Sequence, residues 1–386
     1  MRKIILFTLF SVTIVAAEGQ DTKKAFKDAG KQLSFFYNEI KAARNGNKIF
    51  PRSLEKGDSI RIVHSGDWTS GFWPGMLWFM YKYTGRQEWK AKAEEFTALM
   101  EKEPKNRGSH DVGFKVYNSY GNGYKLTSNE EYKQQIIQGA KTLVTRFNPA
   151  VGCIRSWDFG KWQYPVIIDN MMNLELLFAA TRLSGDSSFY KVAVSHANNT
   201  MKNHFRKDYS CFHVMDYDTA TGKPIGGSTL QGYSDASAWA RGEAWALYGF
   251  TLCYRETKDP AYLQLAEKIA SFIINHPRLP ADKIPYWDFD APGIPNEPRD
   301  ASAAAIIASA LYELKDYSAE KKTYVKFADQ ILNSLAKNYR SAIGTNKGFI
   351  LDHSTGHKPV NGEVDTPIIY ADYYYLEALL RKKSSR

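Results

Sequence analysis

Apolar residues recur at helical spacing along most of the chain, and short polar connectors interrupt them at intervals. Four connectors share one form, a polar run that ends in an aromatic residue: Thr84-Gly85-Arg86-Gln87-Glu88-Trp89, Thr127-Ser128-Asn129-Glu130-Glu131-Tyr132, Ser184-Gly185-Asp186-Ser187-Ser188-Phe189 and Thr257-Lys258-Asp259-Pro260-Ala261-Tyr262. Lys315-Asp316-Tyr317-Ser318-Ala319-Glu320, before Tyr324, is a looser fifth copy. The pattern predicts an amphipathic helix after each connector, over 88–102, 129–147, 187–203, 260–275 and 319–337. It predicts a helix richer in aromatic and small residues before each, over 70–83, 111–121, 169–183, 236–256 and 300–314. Segments 22–44 and 366–381 bring the count to twelve helices, and short strands are expected near 209–217 and 346–352.

Twelve helices arranged as six hairpins, each with a polar-faced and a more apolar member, predict an all-α fold. The expected architecture is an (α/α)6 barrel with the apolar helices inside and the short strands in loops at the pocket end. An open solenoid also yields paired helices, but it does not explain why the inner helices begin alike. A loop carrying an aspartate precedes each of them: Asp67, Asp111, Asp169, Asp235, Asp300 and Asp365. Parallel inner helices would bring these six N-termini to one mouth, some of the acids acting only as caps. Seven of the nine tryptophans (Trp68, Trp73, Trp157, Trp162, Trp239, Trp245 and Trp287) lie in the same loops or first turns. Indole faces suit sugar rings, and core packing is the competing use.

Composition narrows the class. With 44% hydrophobic and 14% aromatic residues, the 386-residue chain has enough apolar surface for a large core. Residues 1–17 read as a signal peptide, with Arg2 and Lys3 before the apolar run Ile4 to Phe10 and Val15-Ala16-Ala17 at the cleavage site. That leaves 18–386 as one barrel domain, exported and placed first in the periplasm, without a membrane anchor. Its net charge of +10 becomes +8 once Arg2 and Lys3 are removed. The only compact basic cluster is Arg381-Lys382-Lys383, so an anionic polysaccharide fragment suits the charge better than nucleic acid. Cys153, Cys211 and Cys253 are too few and too scattered for a disulfide framework or a metal site. A monomer or weak homo-oligomer is expected.

The strongest chemical candidate is Asp169, in the stretch Ile154 to Asn173. Val166, Ile167 and Ile168 precede it, and Met171 and Met172 begin a helical run. An isolated aspartate at that place reads as an N-cap. In apolar surroundings, however, a carboxyl keeps its proton to higher pH, and a second carboxylate nearby strengthens the effect. Arg241, between Trp239 and Trp245, is the expected partner of a substrate carboxylate. The segment His353-Ser354-Thr355-Gly356-His357-Lys358, before the last inner helix, offers hydroxyls and a cation for the leaving sugar.

Phe212-His213-Val214-Met215-Asp216 and the run Gln231-Gly232-Tyr233-Ser234-Asp235-Ala236-Ser237-Ala238-Trp239-Ala240-Arg241-Gly242-Glu243-Ala244-Trp245 resemble the signature of glycoside hydrolase family 88, the unsaturated glucuronyl hydrolases. The similarity extends through His64-Ser65-Gly66-Asp67-Trp68, Ser109-His110-Asp111-Val112-Gly113-Phe114, Ile168-Asp169-Asn170-Met171-Met172-Asn173 and Asp365 to Tyr375. It therefore spans nearly all of the mature chain in order. The resemblance implies the (α/α)6 barrel and action on 4,5-unsaturated uronic acids at the non-reducing end of lyase-made oligosaccharides. It implies Asp169 as catalytic acid and Asp111 as the second essential carboxylate. Trp68, Trp157, His213, Gln231, Arg241 and Trp245 are the implied substrate contacts, with no metal or organic cofactor. Related unsaturated rhamnogalacturonyl hydrolases, a polysaccharide lyase on an α/α barrel and a non-catalytic sugar-binding protein are the rival readings.

Overall fold

A computed structural model describes residues 21–55 and 58–384. The segment read as a signal peptide lies outside the described residues. The repeated connectors turn out to be one device used four times. Gly85, Ser128, Gly185 and Lys258 each end a helix in the left-handed region, with φ of 68°, 52°, 77° and 62°. The next residue caps the following helix, and Asn129, Asp186 and Asp259 do so by accepting backbone N–H groups with their side chains. An αL C-cap joined directly to an N-cap reverses the chain within two residues. Trp89, Tyr132, Phe189 and Tyr262, which follow, are all buried. Each contributes about 1.5–3 kcal/mol by leaving water and pins its hairpin to the core.

Among the described residues the twelve α-helices are α1 (Thr22–Ala43), α2 (Phe72–Thr84), α3 (Gln87–Ala98), α4 (Asn122–Thr127), α5 (Glu130–Val144), α6 (Leu174–Ser184), α7 (Ser187–Asn203), α8 (Ala240–Thr257), α9 (Pro260–Asn275), α10 (Ala301–Leu314), α11 (Lys321–Asn338) and α12 (Ile369–Ser384). A π-helical stretch, Gly113–Gly121, leads into α4, and a 3₁₀ stretch, Ile168–Asn173, leads into α6. The even-numbered helices form the inner ring. Each packs on the next, α6 meeting the π-helical stretch that leads into α4, and α12 packs back on α2, which closes the ring. Every residue of α10 is buried, as an inner stave packed on all sides requires. The fold is thus the expected barrel. All three cysteines are buried and unbridged, and among the described residues no helix is long and apolar enough to cross a membrane.

Among the described residues nine short strands lie in the loops, and three groups matter for the site. β1 (Phe50–Glu55) pairs with β2 (Ser59–Val63). β3 (Phe147–Asn148) and β4 (Cys153–Ile154) precede a three-stranded sheet of β5 (Pro165–Ile167), β6 (Val214–Tyr217) and β7 (Pro224–Ser228). β8 (Ser354–His357) and β9 (Gly362–Thr366) form a hairpin before α12. Strand structure expected at 209–217 is present as β6. At 346–352 there is instead a 3₁₀ turn, Asn346–Gly348, and the strand begins at Ser354. Lys347 and Gly348, at φ of 53° and 103°, turn the chain too sharply there for a strand.

Candidate active site

Two cavities are lined by residues from most of the inner helices. The larger, ≈ 470 Å³, is lined from the C-terminal parts of the inner helices. Its charges satisfy one another, Arg255 bonding Glu313 and Glu175 at 2.8 and 2.7 Å and Arg381 reaching Glu313 at 2.7 Å. The smaller, ≈ 120 Å³, is lined by Trp68, Asp111, Phe114, Asp169, Arg241 and Tyr370 around the N-terminal ends of the inner helices, and by residues of β1, β8, β9 and intervening loops. Buried polar atoms without a partner cluster at this second cavity: Asp169 Oδ2, His110 Nε2, His213 Nε2 and Trp245 Nε1. Unpaired buried polar groups cost stability, and their presence here makes this cavity the candidate site.

Strand pairing delivers the central pair. Ile167 of β5 lies opposite Val214 of β6, and the Ile168 N–H donates to the His213 carbonyl at 3.0 Å. Just past this pair the chain enters the 3₁₀ stretch, and the Asp169 side chain there approaches His213, with Nε2 at 3.7 Å from Oδ2. Asp169 sits in the first turn of the 3₁₀ stretch, whose cap is Ile167, so it is not an N-cap. Burial raises its pKa from 3.8 to about 7, against the pull of the Arg241 cation and with help from the Asp111 charge. The indole N–H of Trp245 faces the same carboxyl at less than full hydrogen-bond geometry.

His213 is held neutral. Its Nδ1 accepts the backbone N–H groups of Leu230 and Gln231, both at 3.2 Å, which leaves the proton on Nε2 toward Asp169. Burial, then the Arg241 and His357 charges, hold its pKa well below 6.5. A neutral donor leaves the raised pKa of Asp169 in place, where an imidazolium would lower it.

Asp111 reaches the cavity because Gly113 has no side chain. A Cβ there would stand 2.6 Å from the Asn173 Cα. The close approach lets Asn173 accept the Phe114 N–H at 3.1 Å, with its amide 3.4 Å from Asp111 Oδ1. His110 Nε2 lies 3.2 Å from the same oxygen. Of the six aspartates before the inner helices, only Asp111 and Asp169 line the cavity. Asp300 caps α10, Asp67 holds Arg52, Asp235 accepts the Thr229 N–H, and Asp365 pairs with His353 in an exposed position.

The remaining expected contacts divide. Trp68 and Trp157 line the cavity with Gln231, whose amide donates to the Gly356 carbonyl at 3.0 Å. Trp245, an expected substrate contact, is fully buried and does not line it; its indole N–H faces the Asp169 carboxyl instead. Arg241 lines the wall but is 1% exposed. Its Nη1 donates to Asp300 and to the Thr355 carbonyl, and its Nη2 to the Gly356 carbonyl. Three of its five N–H donors are thus already used to bind the β8–β9 hairpin to α10.

Arg52 and Glu363 were not legible from the sequence. Arg52 forms a two-pronged pair with Glu363 at 2.7 and 2.9 Å and bonds Asp67 at 2.9 Å. Although burial opposes it, Arg52 keeps the Glu363 carboxyl below its ordinary pKa of 4.5. Glu363 adopts φ +52°, a conformation that side chains other than glycine rarely take, and nothing in the composition of β9 announces it.

The family model for Glycosyl Hydrolase Family 88 matches residues 44–381. A curated relative, the unsaturated glucuronyl hydrolase of Formosa agariphila, is 49% identical over 100% of this chain and 99% of its own length. The unsaturated chondroitin disaccharide hydrolase of Streptococcus pyogenes serotype M1 is 35% identical over 86% of this chain and 85% of its own. A crystal structure of an unsaturated glucuronyl hydrolase specific for heparin superposes with a TM-score of 0.90 at 46% identity, covering 94% of this chain and 97% of that one.

Proposed function

The chain belongs to glycoside hydrolase family 88, and from that membership we propose that it removes 4,5-unsaturated uronic acid from the non-reducing end of glycosaminoglycan-type oligosaccharides. The observation that carries the chemistry is Asp169, a largely buried carboxyl with a pKa of about 7 and an unpartnered oxygen beside a neutral histidine. The unsaturated uronate is a vinyl ether, and protonating its C4 generates an oxocarbenium ion at C5. Asp169 gives that proton. The carboxylate so formed accepts a proton from the water that adds at C5, which restores the acid. The product is a hemiketal, and opening of its ring expels the leaving sugar.

Asp111, held by Ser109 and Asn173 with His110 Nε2 beside it, supports the acid by its charge and accepts from ring hydroxyls. Trp68 and Trp157 offer apolar faces to the ring, and Gln231 borders it. The free donors of Arg241 supply positive charge to the substrate carboxylate from behind the wall. The basic start and apolar run of residues 1–17 support export to the periplasm, where such fragments would be met.

Hydration differs from direct hydrolysis in where atoms end up, since an ordinary glycosidase brings water to the anomeric carbon. A reaction in heavy water should place one deuterium at C4 of the released keto acid. Labelled water should place its oxygen at C5 before the ketone exchanges. Label at the anomeric carbon with none at C4 would refute the mechanism. The ultraviolet absorbance of an unsaturated disaccharide should fall in the same reaction, whereas a lyase would raise absorbance on intact polymer and a binding protein would change neither. The higher identity to the heparin-specific structure makes heparin-derived disaccharides the first to test.

Activity should also depend on pH in one direction through neutrality. The acid must be protonated, so kcat/KM should decline as pH rises through about 7. A profile flat from pH 6 to 9 would show that Asp169 does not transfer the proton.

A further inference from the structure

The cavity of ≈ 120 Å³ is large enough for one sugar ring, so the rest of an oligosaccharide must lie outside it. The loop that leads out of it carries Phe159, a large apolar side chain left 60% exposed. Phe159 does not lie loosely on the surface. Its ring stacks on Trp157 at 5.2 Å with 20° between the planes, and Trp157 in turn meets Trp162 at 5.5 Å and the His213 ring at 5.6 Å. Aromatic contact thus runs without a break from the residue beside Asp169 to solvent.

The loop is braced to hold that stack. Arg146 grips both oxygens of Asp158 at 2.9 Å, and Arg155 Nε donates to the Trp157 carbonyl at 2.8 Å. Gly160, at φ +91°, lets the chain turn where a Cβ would stand 2.6 Å from the Trp162 ring. Trp162 Nε1 is fixed by Ser228 Oγ at 2.9 Å. An apolar ring held rigidly outward costs nothing further to order when a ligand arrives, which is how a binding platform differs from a stray surface residue. Sugar rings present an apolar C–H face that packs on aromatic planes.

We propose that the outer face of Phe159 is a subsite for a sugar of the leaving oligosaccharide beyond the residue bonded to the unsaturated uronate, so that the enzyme favours tetrasaccharides over disaccharides. This rests on the reading of the cavity as the uronate site. A unit stacked on Phe159 would contribute to binding without approaching the reacting carbons, so its loss should appear in KM more than in kcat.

The test compares unsaturated di- and tetrasaccharides cut from one polymer. Phe159→Ala should lower the tetrasaccharide-to-disaccharide ratio of kcat/KM about three- to tenfold, and Phe159→Tyr should restore it. Equal loss on both substrates would mean that Phe159 only braces Trp157, and an unchanged ratio would mean that its face is unused; either result overturns the proposal. Titration of both saccharides into the Asp169→Asn background, followed by tryptophan fluorescence, judges the platform separately from the reaction. If the parent protein consumes neither double bond, the functional reading fails, while a Phe159-dependent preference for the longer saccharide in that titration would still support the platform.

Discussion

Asp169→Asn should lower turnover by about 10³-fold or more while substrate still binds, and the folded protein should become more stable. The loss follows because the amide keeps the shape of the carboxyl but carries no transferable proton. The gain follows from linkage. Its folded pKa of about 7 lies above the ordinary 3.8, so between those values the folded state holds a proton that the unfolded chain has released. Stability therefore falls as pH rises through that window, and the full cost persists above pH 7. Asparagine removes the cost. The variant should be about 1–3 kcal/mol more stable than the parent at pH 8 and equal to it near pH 4, as read from urea unfolding. Near-normal turnover would remove Asp169 from the mechanism, and no stability difference at pH 8 would show that its carboxyl ionises freely.

Arg241→Met should destabilise the fold by about 3–5 kcal/mol, the range expected when one member of a buried ion pair is lost. Asp300 is fully buried, caps α10 through Ser302, and would keep its charge without Arg241 opposite it. The Thr355 and Gly356 carbonyls would also lose their donors, so the β8–β9 hairpin should loosen from the cavity wall. Because Gln231 and His357 tie the same hairpin to the Leu230–Gln231 segment, which in turn holds His213, activity should fall with stability. Adding Asp300→Asn to Arg241→Met should recover part of the stability but little of the activity. A cost under about 1 kcal/mol for Arg241→Met would mean that the arginine serves substrate alone.

Much of the architecture was legible along the chain. Connectors such as Ser184-Gly185-Asp186 encode their own αL turn and N-cap, and Phe189 anchors the helix that follows. Helical spacing in 187–203 and 260–275 gave boundaries that match α7 and α9. Where local signals conflicted, the expectation slipped: the run at 346–352 reads apolar enough for a strand, but positive φ at Lys347 and Gly348 bends it into a 3₁₀ turn. Asp67, Asp235 and Asp365 likewise repeat the pattern of Asp111 and Asp169 without sharing their place, because a preceding aspartate suits a turn or an ion pair as well as a pocket.

By itself, the sequence determined what short-range physics controls: six helical hairpins, the two faces of their helices, the apolar setting of Asp169 and the motif run from Gln231 to Trp245 that identifies the family. Only the tertiary structure decided which polar groups meet. Trp245 carries the same sequence signal as Trp157, yet helix α8 turns it behind the acid while the loop before β5 turns Trp157 toward the cavity. Arg52 and Glu363 lie 311 residues apart and pair at 2.7 Å only because the ring closes α12 onto α2. Spacing along a chain fixes hydrophobic faces, since those repeat every turn. Partnerships between buried charges depend instead on ring closure and strand register, which bring distant segments within bonding distance.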